Sequence, residues 1–302
     1  MHVSRHIHRR ALPVCLAAAL LAGCDNRHVA SPLPDFEQAR ELRAALTGGS
    51  SPGQKDQVEQ AVVGTGWATL NGTIRLDPGA TPRQAKPLPV NRETNICAPG
   101  GKVVFDQVML VDEQTRGIAN VAIYLRKPSR VHESMQPNDE RKLFDQEHCI
   151  FLSHVFPVRI GQTVEVKNSD PTSHNTNVAG KNQFNYLIPQ LQSLEFKPAL
   201  EENFPVRVSC SIHPWMLAYM LPRKDGYFAV TAPDGSFEIA HVPAGEQLEF
   251  QVWHENASGA GGGVPGGPQE YQWTAKGRFK VKLQEDAVET LDVVLPASAF
   301  KG

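Results

Sequence analysis

The stretch Cys210-Ser211-Ile212-His213-Pro214-Trp215-Met216 sets a thiol, an imidazole and a thioether at three-residue intervals. With 5 Cys, 11 His and 5 Met in 302 residues, chance produces that spacing roughly 0.003 times, so composition does not explain it. A copper ion that cycles between two oxidation states favours a soft thiolate, two imidazoles in a rough trigonal plane and a weak thioether on the axis. The second imidazole is offered upstream by His174, in the polar run Ser169-Asp170-Pro171-Thr172-Ser173-His174-Asn175. The expected ligand set is therefore His174, Cys210, His213 and Met216. Zinc also accepts Cys and His, but methionine is a poor zinc ligand and no fourth hard ligand stands at a standard spacing. A copper-storage protein would carry Met- and His-rich clusters, which five methionines scarcely supply.

Strands frame this stretch on both sides. Residues 155–160, the turn Gly161-Gln162-Thr163 and residues 164–168 read as strand, turn and strand, and residues 204–208 as a last strand alternating toward Cys210. Farther out, residues 67–76, 117–125, 227–231, 236–239, 247–254, 279–283 and 290–295 have strand character. Turns at Pro233-Asp234-Gly235 and Pro243-Ala244-Gly245 punctuate them. With 24 Gly and 23 Pro and almost no long helical periodicity, the body is all-β.

Two resemblances sharpen the fold. Val158-Arg159-Ile160-Gly161-Gln162-Thr163-Val164 with Asn168 and His174-Asn175 is similar to the first half of amicyanin- and pseudoazurin-like cupredoxins. The stretch Cys210 to Met216 resembles the short ligand loop of that family, down to the proline after the histidine. The resemblance covers residues 150–220 and implies a Greek-key β-sandwich holding one type 1 copper. It also implies that Asn175 ties the ligand loops together beside the cysteine sulfur and that Pro214 stiffens the loop at His213. Pro214 and Trp215 are then expected to form an apolar collar around an exposed edge of His213. The chain departs from amicyanin at Leu217-Ala218-Tyr219-Met220, where that family returns directly to a strand.

Gly117-Ile118-Ala119-Asn120-Val121-Ala122-Ile123-Tyr124-Leu125, and the run from Asp234-Gly235-Ser236 to Pro243-Ala244-Gly245, resemble carboxypeptidase regulatory-like (transthyretin-like) β-sandwich modules. In such modules these pieces sit a short turn apart, whereas here about a hundred residues intervene, the size of a small copper domain. We expect a cupredoxin sandwich at residues 128–222 inserted into a second sandwich formed by residues 67–127 and 223–297.

The amino terminus has Arg5, Arg9 and Arg10, an apolar run from Ala11 to Leu21, and then Leu21-Ala22-Gly23-Cys24. Such a run is too short for a spanning helix, and the pattern is that of a lipoprotein export signal over residues 1–23 with lipidation at Cys24. An ordinary secretory signal with an incidental cysteine is the alternative. Residues 24–66 then form a tether containing one short helix-like stretch at 35–46. Export implies an oxidising compartment, on the periplasmic side of a bacterial membrane. Cys15 leaves with the signal, Cys24 takes lipid and Cys210 takes metal, so Cys97 and Cys149 are expected to form a disulfide. Signal removal takes three of 30 basic residues and none of the 32 acidic ones, leaving an acidic body poorly suited to nucleic acid.

No hydrolytic constellation stands out, and Gly259 to Pro268 lacks the Gly-Lys-Ser/Thr ending of a phosphate loop. His154 reads as a buried, hydrogen-bonded residue, and His254-Glu255 as a structural strand end. The expected function is that of a membrane-tethered blue-copper protein without turnover of its own, exchanging single electrons with a c-type cytochrome or a periplasmic dehydrogenase. The alternative is a cell-envelope binding protein in which the outer sandwich recognises carbohydrate or protein, through an aromatic platform at Trp253, Tyr271 and Trp273, and the cupredoxin part is structural.

Overall fold

A computed structural model describes residues 64–301; the export segment, Cys24 and the helix-like stretch at 35–46 lie outside the described residues. In chain order, β1 (Trp67–Leu76) is followed by a four-residue helix, α1 (Thr94–Cys97), and β2 (Ala122–Leu125). Nine strands come next: β3 (Lys142–Glu147), β4 (Ile150–Phe151), β5 (Val155–Arg159), β6 (Val164–Asn168), β7 (His174–Val178), β8 (Phe184–Ile188), β9 (Ser193–Phe196), β10 (Val206–Ser209) and β11 (Leu217–Arg223). The chain closes with β12 (Phe228–Val230), β13 (Ser236–Pro243), β14 (Gln247–Trp253), β15 (Arg278–Lys282) and β16 (Val288–Leu295). No helix among the described residues is long and apolar enough to cross a membrane.

The strands make four sheets, ordered β13-β1-β16, β12-β2-β14-β15, β5-β11-β10-β7-β8 and β4-β3-β6-β9. Alternation decides which face is buried: Val164, Val166 and Asn168 of β6 point inward while Glu165 and Lys167 stay at the surface. One core gathers Leu70, Ile74, Ile123, Phe250, Phe279 and Val293 from the first two sheets. Phe279 lies nearly parallel to both Phe250 and Trp273, at centroid distances of 5.1 and 5.0 Å. Each such ring contributes about 1.5–3 kcal/mol by leaving water. A second core, with Phe144, Phe151, Val158, Val166 and Val208, draws on the other two sheets.

Every strand around the second core falls between β2 and β12 in the chain, yet the flanking pieces close on each other. A Cβ on Gly117 would meet the Asp234 carbonyl at 2.0 Å, so only glycine lets the loop before β2 lie against the turn before β13. The two segments quoted for the outer module are thus in contact across more than a hundred residues of sequence.

The sandwiches share a third cluster, Ala122, Tyr124, Val155, Leu221 and Trp253. Tyr124 donates its hydroxyl to the Asn203 carbonyl at 2.7 Å. The buried Arg223 guanidinium lies over the Tyr124 ring and donates to the carbonyls of Leu125, Arg126 and Glu202 at 2.9, 3.2 and 3.1 Å.

Four expectations need correction. The strand at 117–125 is ordered as strand only from Ala122 to Leu125, because Asn120 takes a left-handed conformation (φ 63°) and Gly117 and Ile118 make isolated bridges. At Leu217-Ala218-Tyr219-Met220 the chain does return directly to a strand: β11 begins at Leu217, antiparallel to β10 and parallel to β5. Residues 67–127 do not all stay with the outer sandwich, since Cys97 lies in the second core and Leu88, Val90 and Ile96 pack against it. Finally, Trp253 and Trp273 are buried, their indole N–H groups given to the carbonyls of Gly261 and Val264, so these rings form no exposed platform with Tyr271.

Candidate metal centre

His174 opens β7 and Cys210 follows the last residue of β10. These strands are antiparallel neighbours, with Ser209 opposite Asn177, so their ends bring the two residues to one edge of the sheet. The loop from Cys210 to Met216 then turns back into β11 and carries His213 over that edge. His174 Nδ1 and His213 Nδ1 stand 2.9 Å apart, and Cys210 Sγ lies 3.9 Å from His213 Nδ1. All three ligand atoms fall within 4.8 Å of one another, and all three residues are buried. Met216 is buried in the same core cluster, with its N–H given to the His213 carbonyl at 2.9 Å.

Each imidazole is aimed by a carboxylate on its far side. His174 Nε2 donates to Asp170 at 2.7 Å, and Asp170 is held by the backbone N–H groups of His148 and Cys149 at 2.7 and 2.8 Å. His148 and Cys149 both have positive φ, 53° and 54°, which turns two successive N–H groups onto the same carboxylate. His213 Nε2 donates to Glu93 at 2.7 Å. With both Nε2 atoms engaged outward, the two Nδ1 atoms face each other and the thiol. Two buried lone pairs at 2.9 Å repel unless a cation or proton stands between them. Carboxylate–imidazole pairs of this kind hold metals elsewhere, and the donor set suits a copper ion, with Met216 as the candidate thioether.

The sulfur is prepared as well. Backbone N–H groups of Asn175 and His213 point at Cys210 Sγ from 3.3 and 3.4 Å. The Asn175 side chain accepts from the Ser211 amide and hydroxyl at 3.3 and 3.0 Å and donates to Asn185 and to the Tyr186 carbonyl. It therefore bridges β7, β8 and the ligand loop.

Burial works against charge on each of these groups, and their partners decide the outcome. Burial raises the Cys210 thiol, but hydrogen bonds from His174 and the backbone outweigh it and hold the thiol below its ordinary value. Burial opposes a charged His174, yet Asp170 and Cys210 carry it above the ordinary imidazole range. His213 is lowered, chiefly by burial and further by the charge on His174, although Glu93 pulls the other way. The pocket thus favours thiolate character and one proton shared by the imidazole pair, which a metal cation can displace.

Cys97 and Cys149 form a disulfide, and its sulfurs lie within 4.8 Å of a His213 ring nitrogen. Bonded to each other, they are not ligands; they fasten the segment bearing Glu93 against the site. Here the structure corrects the expected collar. His213 has no exposed edge: Glu93 covers its outer nitrogen, and Arg92 donates to the Ile212 carbonyl at 3.2 Å. Trp215 is buried, 5.1 Å from the His213 ring, with its indole N–H on the Cys149 carbonyl, while Pro214 is exposed. Asp170 and Glu93 were not foreseen. Asp170 stands four residues before His174 in a stretch already singled out, but nothing local marks Glu93 except its closeness to Cys97.

No family model matches the chain, and no curated protein does. Among solved structures, a reduced Cu(I) mutant of amicyanin at pH 4 is 16% identical, covers 34% of this chain and 99% of its own, with a TM-score of 0.26. Amicyanin from Paracoccus versutus is 17% identical, covering 33% and 97% with a TM-score of 0.25. A copper-containing nitrite reductase from Thermus scotoductus is 19% identical, covering 32% of this chain and 25% of its own with a TM-score of 0.26.

Proposed function

We propose that this chain is a single-electron carrier built on one type 1 copper ion, held by His174, Cys210 and His213 with Met216 as the weak axial ligand. A bound copper would supply one reversible oxidising equivalent; the chain supplies a rigid cage. The observation that supports this most is the pair of carboxylate-aimed imidazoles whose free Nδ1 atoms converge on a buried sulfur carrying two backbone N–H bonds. Asn175 pins the two ligand-bearing segments together, so little movement is available when the oxidation state changes. Asp170 and Glu93 fix ring orientation and tautomer, and the buried setting keeps water from the sulfur. On this reading the protein turns over no substrate of its own. It is lipid-anchored through Cys24 on the periplasmic side of a bacterial membrane and exchanges electrons with a c-type cytochrome or a periplasmic dehydrogenase.

Because Glu93 and its disulfide-tied segment cover His213, the route by which electrons leave differs from an exposed histidine edge. Protein-film voltammetry of the copper-loaded chain tests the reading: one reversible one-electron wave that disappears in Cys210→Ser supports it. An absent wave, or one unchanged by that substitution, refutes it.

A further inference from the structure

The strand that begins where the ligand loop ends has two different faces. Met216 immediately precedes β11, and with Ala218 and Met220 it lies in the second core, together with Cys210. Tyr219 and Leu221 alternate to the opposite side, where they meet Trp253, the last residue of β14, in the cluster shared by the two sandwiches. The outer sandwich therefore packs on the back of the strand whose head is the candidate thioether.

That contact is polar as well as apolar. The Tyr219 ring meets the Trp253 indole at a centroid distance of 4.9 Å. Two residues beyond Trp253, the Glu255 carboxylate accepts the Tyr219 hydroxyl at 3.2 Å with one oxygen and bonds His154 Nε2 with the other. His154 stands just before β5, and its carbonyl accepts the Tyr219 N–H at 2.7 Å. One carboxylate of the outer sandwich, its side chain only 7% exposed, thus holds a side chain of β11 and the residue that leads into β5. Met216 is 1% exposed, and a core packed to this density gives it no slack when β11 shifts.

We propose that Glu255 is a positioning residue for the metal centre: by clamping Tyr219 and His154 it sets where β11 starts, and hence how closely the Met216 sulfur approaches the metal. The effect on the metal rests on the copper reading of Met216, whereas the clamp needs no metal. A weak axial ligand shifts the balance between the two copper oxidation states. Cu(II) loses more than Cu(I) when the thioether retreats, because Cu(I) needs only three donors.

Two readouts test this on Glu255→Gln, which keeps the shape of the side chain and removes its charge. In the metal-free chain the Met216 methyl resonance is expected to move. In the copper-loaded chain the ratio of Cu(II) to Cu(I) affinity is expected to fall by roughly fivefold, less than for a partner in direct contact with a ligand. Tyr219→Phe removes one hydroxyl from a ring that stays packed and must move both readouts in the same direction. Arg223→Leu loosens the same interface at the far end of β11, so it should lower stability and leave both readouts in place. The proposal fails if neither Glu255→Gln nor Tyr219→Phe moves the methyl resonance, if the methyl moves without the copper ratio, or if Arg223→Leu moves them as much. An unaltered chain with no thiolate-to-copper band overturns the copper reading instead, and the metal-free methyl resonance still decides whether Glu255 positions Met216.

Discussion

Glu93 accepts a hydrogen bond from His213 Nε2 at 2.7 Å although 120 residues separate them in the chain. The contact joins a segment that precedes β2 to a loop that follows β10; the Cys97–Cys149 disulfide ties the first of these to the turn between β3 and β4, where the Cys149 carbonyl accepts the Trp215 indole N–H of that loop. The carboxylate fixes which nitrogen of His213 faces inward. Replacing it with Glu93→Ala is expected to weaken Cu(II) binding by about 10–100-fold, the usual effect of losing such a partner. A competition titration against a chelator of known affinity measures this; an unchanged affinity would mean that Glu93 does not orient His213.

The disulfide closes a loop with a sequence separation of 52 residues. Chain-entropy reasoning then gives a stabilisation of about 4 kcal/mol, within a usual range of about 2–4. The double substitution Cys97→Ala with Cys149→Ala should lower the unfolding free energy by that order. Denaturant titration reads the loss, and a change below about 1 kcal/mol would show the bridge to be dispensable.

Arg223 is buried between the sandwiches and donates to three backbone carbonyls, one from the second sandwich's side and two from the end of β2. Arg223→Leu leaves those acceptors unpaired and removes the ring contact with Tyr124, for an expected loss of about 3 kcal/mol. Equilibrium unfolding of this variant against the unaltered chain checks the value.

His254 couples stability to pH. Its ring is buried, accepts the Asn256 N–H at Nδ1 at 3.2 Å and meets the edge of Phe300; burial and the neighbouring His154 push it down to about 3, with the Ala119 carbonyl opposing. The unfolded chain binds a proton at this residue near pH 6.5 and the folded chain does not until about 3. Stability due to His254 is therefore full above about 6.5 and falls by about 1.4 kcal/mol for each unit of acidification within that window. Denaturation midpoints at pH 7 and 5.5 should differ more for the unaltered chain than for His254→Gln; equal differences would contradict this.

Much of this was legible in the sequence because two periodicities are local. The Cys-x2-His-x2-Met spacing and the alternation in residues 155–168 do not need tertiary context, and the strand at 164–168 is where alternation placed it. The strand β11 was hidden because from Met220 onward it is buried on both faces and contains Pro222, so neither alternation nor propensity marks it. The strand β8 was missed because its middle three residues are all exposed, Tyr186 and Leu187 among them. The packing of the segment before β2 was invisible for a different reason: Leu88, Val90 and Ile96 pack on a core formed by residues far along the chain. Glu93 and Asp170 act through distance and orientation, which composition does not encode.

On the proposed function, Cys210 and the two imidazoles bind one copper ion as a thiolate centre. Adding one equivalent of Cu(II) to the purified chain and recording its absorption tests this most directly. An intense thiolate-to-copper band near ~600 nm that saturates at one copper per chain and is lost in Cys210→Ser is the expected result. No such band, or a band that survives Cys210→Ser, would rule out a copper–thiolate centre at Cys210.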